Sequence, residues 1–282
     1  MRRTSIVSLL LALAACGIER AEPERGATAQ RGVLLEELTW VEAEAVLTDS
    51  AVVVIALGAA AKEHGPHLLL SNDWIMAEYL KERVLEEADV VVAPTLPYHY
   101  YPAFFEYPGS TSLRVSTARD LVVDVVRTLA AFGPRRFYVL NTGVSTLRAL
   151  RPAADTLAAD GILLHYTDIL EVAADVEREV AQEEGGTHAE EIETSMMLYI
   201  APWSVDMSKA AKDYHPGKRG PLRRDSTRPG IYSATGIYGD ATLATREKGR
   251  LVVEATVEGI LRDIERLRGS LPPQPHAMGG PN

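Results

Sequence analysis

Apolar positions in this chain follow two rhythms. Ala51–Leu57, Val90–Ala93, Phe137–Leu140 and Ile162–His165 are short, almost unbroken apolar runs, the pattern of strands buried on both faces of a parallel sheet. Between and after them, Trp74–Ala88, Arg119–Phe132, Asp168–Glu183, His188–Ile200 and Leu243–Arg268 carry helical periodicity. Strand–helix alternation of this kind predicts an α/β domain whose sheet is covered on both faces. Ligand sites in such sheets collect beyond the carboxyl ends of the strands. The segment Glu63–Asp73, which follows the first run, and Asn141-Thr142-Gly143, which follows the third, are therefore expected at one edge. Gly185-Gly186 closes a helix, and Thr187 with Glu190 reads as a capping box for the next, placing His188 and Glu191 one turn apart on one face.

The two ends have a different character. Arg2 and Arg3 precede an apolar stretch, Ile6–Ala15, too short for a permanent membrane span, and Leu13-Ala14-Ala15-Cys16 matches a lipobox. Residues 1–16 are thus expected to be a lipoprotein signal peptide and 17–34 a flexible tether. Residues 35–269 are expected to fold, and the proline-bearing tail 270–282 to be disordered. Cys16, the single cysteine, is the expected lipidation site. The protein is expected in the cell envelope, at the outer membrane or periplasmic face, touching membrane through that anchor only. With one cysteine, no disulfide forms within the chain. A net charge of −10 argues against a nucleic-acid partner. Lys209, Lys212, Lys218, Arg219, Arg223, Arg224 and Arg228 fall in a loop rich in proline and glycine. Such a loop reads as a solvated connection, with a subunit contact or a substrate lid as alternatives.

Candidate chemistry gathers between Leu57 and Asp73. Glu63, His64, His67 and Asp73 lie close together in a segment broken by Gly65-Pro66. Imidazole and carboxylate together suit a divalent metal ion, and a loop can fold such groups around one point; the alternative is a polar loop with incidental histidines. Glu193 shares a helical stripe with Ala189, Met196, Met197 and Ile200. A carboxylate on an apolar face needs a partner, either a cation or backbone amides. The aromatic run Tyr98, His99, Tyr100, Tyr101, Phe104, Phe105 suits either a substrate pocket or core packing.

Four segments in order carry a family resemblance: His64-Gly-Pro-His67-Leu with Asp73, Tyr107-Pro108-Gly109-Ser110-Thr111, His188-Ala-x-Glu191-x-Glu193-Thr194-Ser195, and Gly236-Ile-Tyr-Gly239-Asp240-Ala-Thr242-Leu-Ala-Thr245. Together they resemble the creatininase (creatinine amidohydrolase) family over about residues 35–265. The resemblance implies a three-layer α/β/α sandwich with a mostly parallel sheet, a homo-oligomer that is often hexameric, and metal-dependent hydrolysis of a small-molecule cyclic or linear amide. Two departures bear on the metal. Lys62 stands where the family commonly has a glutamate, and Gly143 and Ser145 stand where it has a ligand histidine and a ligand acid. One ion per chain, zinc or manganese, is accordingly expected rather than two.

The expected site follows from these readings. Glu63, His64, Asp73 and Glu193 are the metal candidates, and His188 and Glu191 the catalytic ones, His188 as the acid that protonates the leaving amine. His67, Asn141, Tyr98 and His99 are expected to support the ligands or line the substrate pocket. Three functions use these residues: a metal-dependent amidohydrolase, a metal-dependent peptidase or deformylase, and an inactive binding module that keeps the fold.

Overall fold

The computed structural model describes residues 30–275. The central sheet contains β1 (Val33–Leu34), β2 (Val52–Leu57), β3 (Val91–Leu96), β4 (Arg136–Asn141) and β5 (Leu163–Tyr166), in the order β1-β3-β2-β4-β5. Every neighbouring pair is parallel. The helices are α1 (Trp40–Val46), α2 (Asn72–Glu87), α3 (Val115–Ala130), α4 (Leu147–Ala159), α5 (Ala174–Val180), α6 (Glu191–Ile200) and α7 (Arg246–Gly269). Two-residue strands β6 (Lys212–Asp213), β7 (Leu222–Arg223), β8 (Ile231–Tyr232) and β9 (Gly239–Asp240) pair outside the main sheet.

Strand β2 shows why the layers form. All six of its residues are buried, and alternate side chains enter opposite cores. Val52 and Val54 pack in a cluster with Leu80 and Val84 of α2, Met196 of α6 and Val253 of α7. Val53, Ile55 and Leu57 pack in the other cluster, with Val122 and Val126 of α3 and Leu150 and Leu157 of α4. The sandwich expected from the alternation is thus present. The strand order changes direction around β2, which lies between β3 and β4, and the crevice outside the carboxyl ends of β2 and β4 is where such sheets bind ligands.

Several boundaries differ from the sequence expectation: Val33–Leu34, placed in the tether, pair with β3; Trp40–Val46 form α1; and Ser270, placed in the disordered tail, accepts from Arg136 of β4. Residues 147–159, read above as no element, form α4. Leu147, Leu150, Ala153 and Leu157 make its buried stripe, which carries Pro152 along inside the helix. The helix expected over 168–183 is reduced to α5, preceded by a turn in which Asp168 accepts from the Leu170 amide at 3.2 Å. The helix expected from His188 starts at Glu191. The cap of that helix is Glu190, whose carboxylate accepts from the amides of Ile192 and Glu193. Thr187 and His188 lie instead in extended chain, and His188 bridges Tyr238.

Candidate metal and catalytic site

The loop after β2 turns straight into α2, and Gly58 permits the approach. A Cβ there would lie 2.3 Å from the Asp73 carbonyl oxygen, so the helix start can sit against the strand end only with glycine. This packing buries Asn72 and Asp73 and brings them under the loop that carries Lys62, Glu63 and His64, all three themselves buried. The carbonyls of Lys62 and Glu63 then orient two imidazoles. His64 Nδ1 donates to the Lys62 carbonyl at 2.9 Å, and His188 Nε2 donates to the Glu63 carbonyl at 2.9 Å and lies 3.2 Å from Glu63 Oε2. Each ring therefore turns its other nitrogen toward the site, an arrangement that fixes the tautomer of a metal-binding histidine.

His64 Nε2 lies 2.7 Å from Asp73 Oδ1 and 3.3 Å from Glu193 Oε1. His188 Nδ1 is 3.8 Å from Glu193 Oε2. Burial and the Lys62 charge oppose a proton on His64, but Asp73 and Glu193 outweigh them and raise its pKa to about 9. Burial disfavours the charged form of Asp73, yet Lys62 and His64 hold this carboxyl below its usual range. Glu193 is likewise held low against burial, by His64 and His188 first. The second loop histidine behaves differently. His67 bonds Thr194 Oγ1 at 2.8 Å, and burial pushes it down to about 4, so it braces the loop against α6 as a neutral ring.

The start of α6 makes one glutamate accessible and hides another. Ala189 has φ of 52°, a left-handed conformation costly for alanine. In return, its amide donates to Glu193 Oε2 at 2.6 Å while Asn72 donates to Oε1 at 3.1 Å. Glu191, expected to share a face with His188, does not. Its carboxylate accepts from the amides of Gln182 and Glu183 at 2.8 and 2.7 Å and pairs with Lys248 of α7. Once the helix begins at Glu191 rather than His188, the two are no longer one helical turn apart, so Glu191 leaves the catalytic set and serves the α6–α7 contact. Glu63 is also displaced from its expected role. It accepts from Gly65 N, beside Gly236, where a Cβ would fall 1.9 Å from Glu63 Oε1. Its carboxylate supports the back of His188.

A cavity of about 1000 Å³ opens over this cluster, with the buried Lys62 and His188 and the partly exposed Glu193 in its lining and Arg148 and Arg228 at its exposed edge. The aromatic run divides between the two roles proposed for it. Tyr100, Phe104 and Phe105 line the cavity, whereas Tyr98 is half-exposed, His99 is fully buried, and neither lines it. Asn141 is turned inward as well, donating to the Gly143 and Thr167 carbonyls at 2.7 and 3.1 Å. His99 and Asn141 are therefore parts of the scaffold, and Tyr98 lies on the surface away from the cavity. The basic loop is neither a free connection nor a separate lid. Leu222 and Ile231 are buried against Tyr101, Phe104 and Tyr107, and Arg223 and Arg228 pair with Glu106 at 3.0 and 2.6 Å, making the loop a wall of the cavity.

Among the described residues, His64, His188 and Glu193 offer three ligand atoms mutually within 4.8 Å. Two imidazoles and one carboxylate are a donor set suited to a catalytic divalent ion, which leaves a coordination position for water. Both ring orientations fit, and the ion would take the place of the proton on His64. Three positions of the same loops offer no free ligand atom to a second ion. Lys62 Nζ lies 2.7 Å from Asp73 Oδ2; Ser145 is turned to the Tyr100 carbonyl at 2.8 Å; and a Cβ at Gly143 would lie 2.9 Å from Thr146 and 3.3 Å from the Tyr101 ring.

Sequence reasoning gave His188 a separate acid role and missed Asn72 as a partner of Glu193. The only signal for Asn72 was its place beside Asp73 at a helix start. Known proteins resemble this chain over most of its length. The family model for creatinine amidohydrolase matches residues 36–264. The chain is 29% identical to a creatinine amidohydrolase of Pseudomonas putida, over 86% of this chain and 99% of that protein. It is 26% identical to a mycofactocin precursor peptide peptidase of Mycobacterium tuberculosis, over 88% of this chain and 97% of that one. A manganese creatininase structure superimposes with a TM-score of 0.70 at 28% identity, covering 86% of this chain and all of that one. With the parallel sheet, the histidine-bearing loop after β2 and a family match across most of its length, the chain belongs to the creatininase family of hydrolases.

Proposed function

We propose that this protein hydrolyses a C–N amide bond at the His64–His188–Glu193 cluster, using one divalent ion per chain. The observation that carries this reading is the pairing of two tautomer-fixed histidines with Glu193 in the wall of a large cavity. A divalent ion bound there would lower the pKa of its water to about 7 and so provide hydroxide at neutral pH. His64 and His188 hold their second nitrogens in place through the Lys62 and Glu63 carbonyls, Asn72 and the Ala189 amide orient Glu193, and the aromatic wall of Phe104 and Phe105 limits water around the amide. In the reaction, the water oxygen bonds to the carbonyl carbon, the C–N bond breaks, and the leaving nitrogen takes the proton that the water gives up. Metal analysis of the purified folded domain, followed by a screen of cyclic amides, linear amides and short peptides with added zinc or manganese, tests the reading. A protein that holds no ion and cleaves none of them is a binding module on this fold, and the enzyme reading fails.

A peptide substrate is the second reading. The cavity is at the upper end of the range for small-molecule sites, its edge is bordered by exposed side chains, and the peptidase relative is matched over nearly its whole length. Cleavage of a short peptide with no turnover of cyclic amides would select it.

We also propose that the mature chain begins at a lipidated Cys16 and is held at the cell envelope, and that it assembles as a homo-oligomer. Cys16 lies outside the described residues, and the support is the order of charged, apolar and Leu-Ala-Ala-Cys segments at the N-terminus. The oligomer rests on family membership. Mass spectrometry of the membrane fraction should find a lipid-modified Cys16, lost in Cys16→Ser; a mature protein that starts elsewhere refutes it. Light scattering of the soluble domain reads the assembly, and a monomer at micromolar concentration refutes that part.

A further inference from the structure

The buried ammonium at the centre of the cluster is the feature that the proposed reaction has not used. Lys62 is 5% exposed, although lysine is almost never buried without a partner. Its Nζ is 2.7 Å from Oδ2 of the wholly buried Asp73. It also lies 5.1 Å from the centre of the Phe104 ring and 5.5 Å from that of Tyr101, within reach of both faces. The same residue lines the cavity beside His188 and Glu193. The ammonium is paired with Asp73 by charge, and its three N–H groups leave donors to meet a bound molecule.

Charge balance gives this placement a meaning. Glu63, Asp73 and Glu193 set three carboxylates against one ammonium. With neutral imidazoles, two negative charges are left over, which a single divalent ion would balance. Asp73 turns Oδ1 to His64 Nε2 at 2.7 Å and Oδ2 to the Lys62 ammonium at 2.7 Å as an ion pair, so the lysine occupies the side of Asp73 that a second ion would need. Space points the same way. The Tyr101 ring lies against Gly143, and Ser145 is spent on the Tyr100 carbonyl, so neither of these two positions offers a ligand atom beside the Asp73 carboxylate.

We propose that Lys62 is a built-in cation that replaces a second metal ion, and that its ammonium donates a hydrogen bond to the carbonyl oxygen of the scissile amide. This rests on the reading of the cluster as a hydrolytic centre. No bond to Lys62 forms or breaks. As negative charge develops on the carbonyl oxygen, a fixed donor in a water-poor site stabilises it, and removing such a donor typically lowers kcat by about 10²–10³-fold. Because it is a compact charge with several donors, lysine can serve Asp73 and the substrate together.

The test compares the wild-type folded domain with Lys62→Met and Lys62→Glu. Zinc and manganese binding is measured by titration calorimetry and by metal analysis after dialysis, and melting temperature is recorded with and without each ion. Wild type should bind one ion per chain. Lys62→Glu should bind more than wild type and show the larger metal-induced rise in melting temperature, because a carboxylate beside Asp73 recreates an ion site. Wild type that already holds two ions, or Lys62→Glu that holds no more than wild type, overturns the replacement. On a substrate identified by the screen, Lys62→Met should lose about 10²-fold or more in kcat with KM changed much less. A kcat within a few-fold of wild type, in a variant that still melts cooperatively, overturns the donor role. If wild type cleaves nothing, the hydrolase reading fails on its own, while the ion counts still decide whether Lys62 holds a metal's place.

Discussion

Glu191 and Glu193 stand two residues apart on one short helix, and their carboxylates meet opposite worlds. Glu191 is fully buried, gripped by Lys248 and two backbone amides. Glu193 faces a cavity, with two imidazoles, a side-chain amide and one backbone amide around it. A fixed ammonium with backbone donors leaves an acid nothing further to do. Imidazoles that can exchange a proton for an ion leave it available for chemistry. The distinction between a structural and a functional acid on this helix therefore lies in its partners together with its access to the cavity.

The largest effect expected from breaking this contrast is at Glu193. Glu193→Gln keeps the shape and the Ala189 contact but removes the charge that joins His64 and His188. The isolated domain should lose its bound ion and at least about 10²-fold in hydrolysis, while the melting temperature measured without metal stays within a few degrees. Metal analysis and calorimetry on one preparation check this. Unchanged metal content in Glu193→Gln would remove Glu193 from the ligand set.

Glu191→Gln should do the reverse. It leaves the partly buried Lys248 beside α6 without its counter-charge, a loss of up to about 3 kcal/mol, the lower end of the cost of breaking a buried pair. Urea unfolding should show that loss, whereas metal stoichiometry of the remaining folded protein should be unchanged. Replacing both partners, as in Glu191→Leu with Lys248→Met, should recover much of the stability. A Glu191→Gln protein that is stable but inactive would restore this residue to the catalytic set.

The two glutamates also mark what the sequence could express. The sheet was legible because its strands are nearly continuous apolar runs, and the edge of the site was legible because parallel sheets collect ligands at one end. Helix α4 was not, since Pro152 sits within its stripe and only packing against α3 and the sheet overrides it. The site was half legible. His64 and Asp73 announce themselves by proximity in the chain, but the left-handed turn at Ala189 shifts the helix start past His188. That single backbone turn moves His188 to the ion cluster and sends Glu191 to Lys248. Lys62 was visible as a departure from the family pattern. Its contact with Asp73 depends on the fold of a loop that local sequence rules do not specify.

A third glutamate sharpens the comparison at the smallest scale. Glu177 of α5 lines the cavity without any imidazole partner, and burial raises its pKa to about 7 although Arg178 pulls the other way. An acid whose folded-state pKa exceeds its unfolded value binds more protons when folded, so its presence favours folding at low pH. That contribution fades as pH rises from about 4.5 toward 7 and is absent above. At pH 8 the charged carboxylate is held in a partly dry wall at a cost, which residual solvent contact limits to about 1 kcal/mol. Glu177→Gln should therefore be more stable than wild type at pH 8, nearly equal to it at pH 5, and unaltered in metal content. Urea unfolding at the two pH values measures the difference. If the variant gains as much at pH 5 as at pH 8, burial of the charge is not what sets Glu177 apart, and partner chemistry alone fails as the criterion that separates Glu193 from its neighbours.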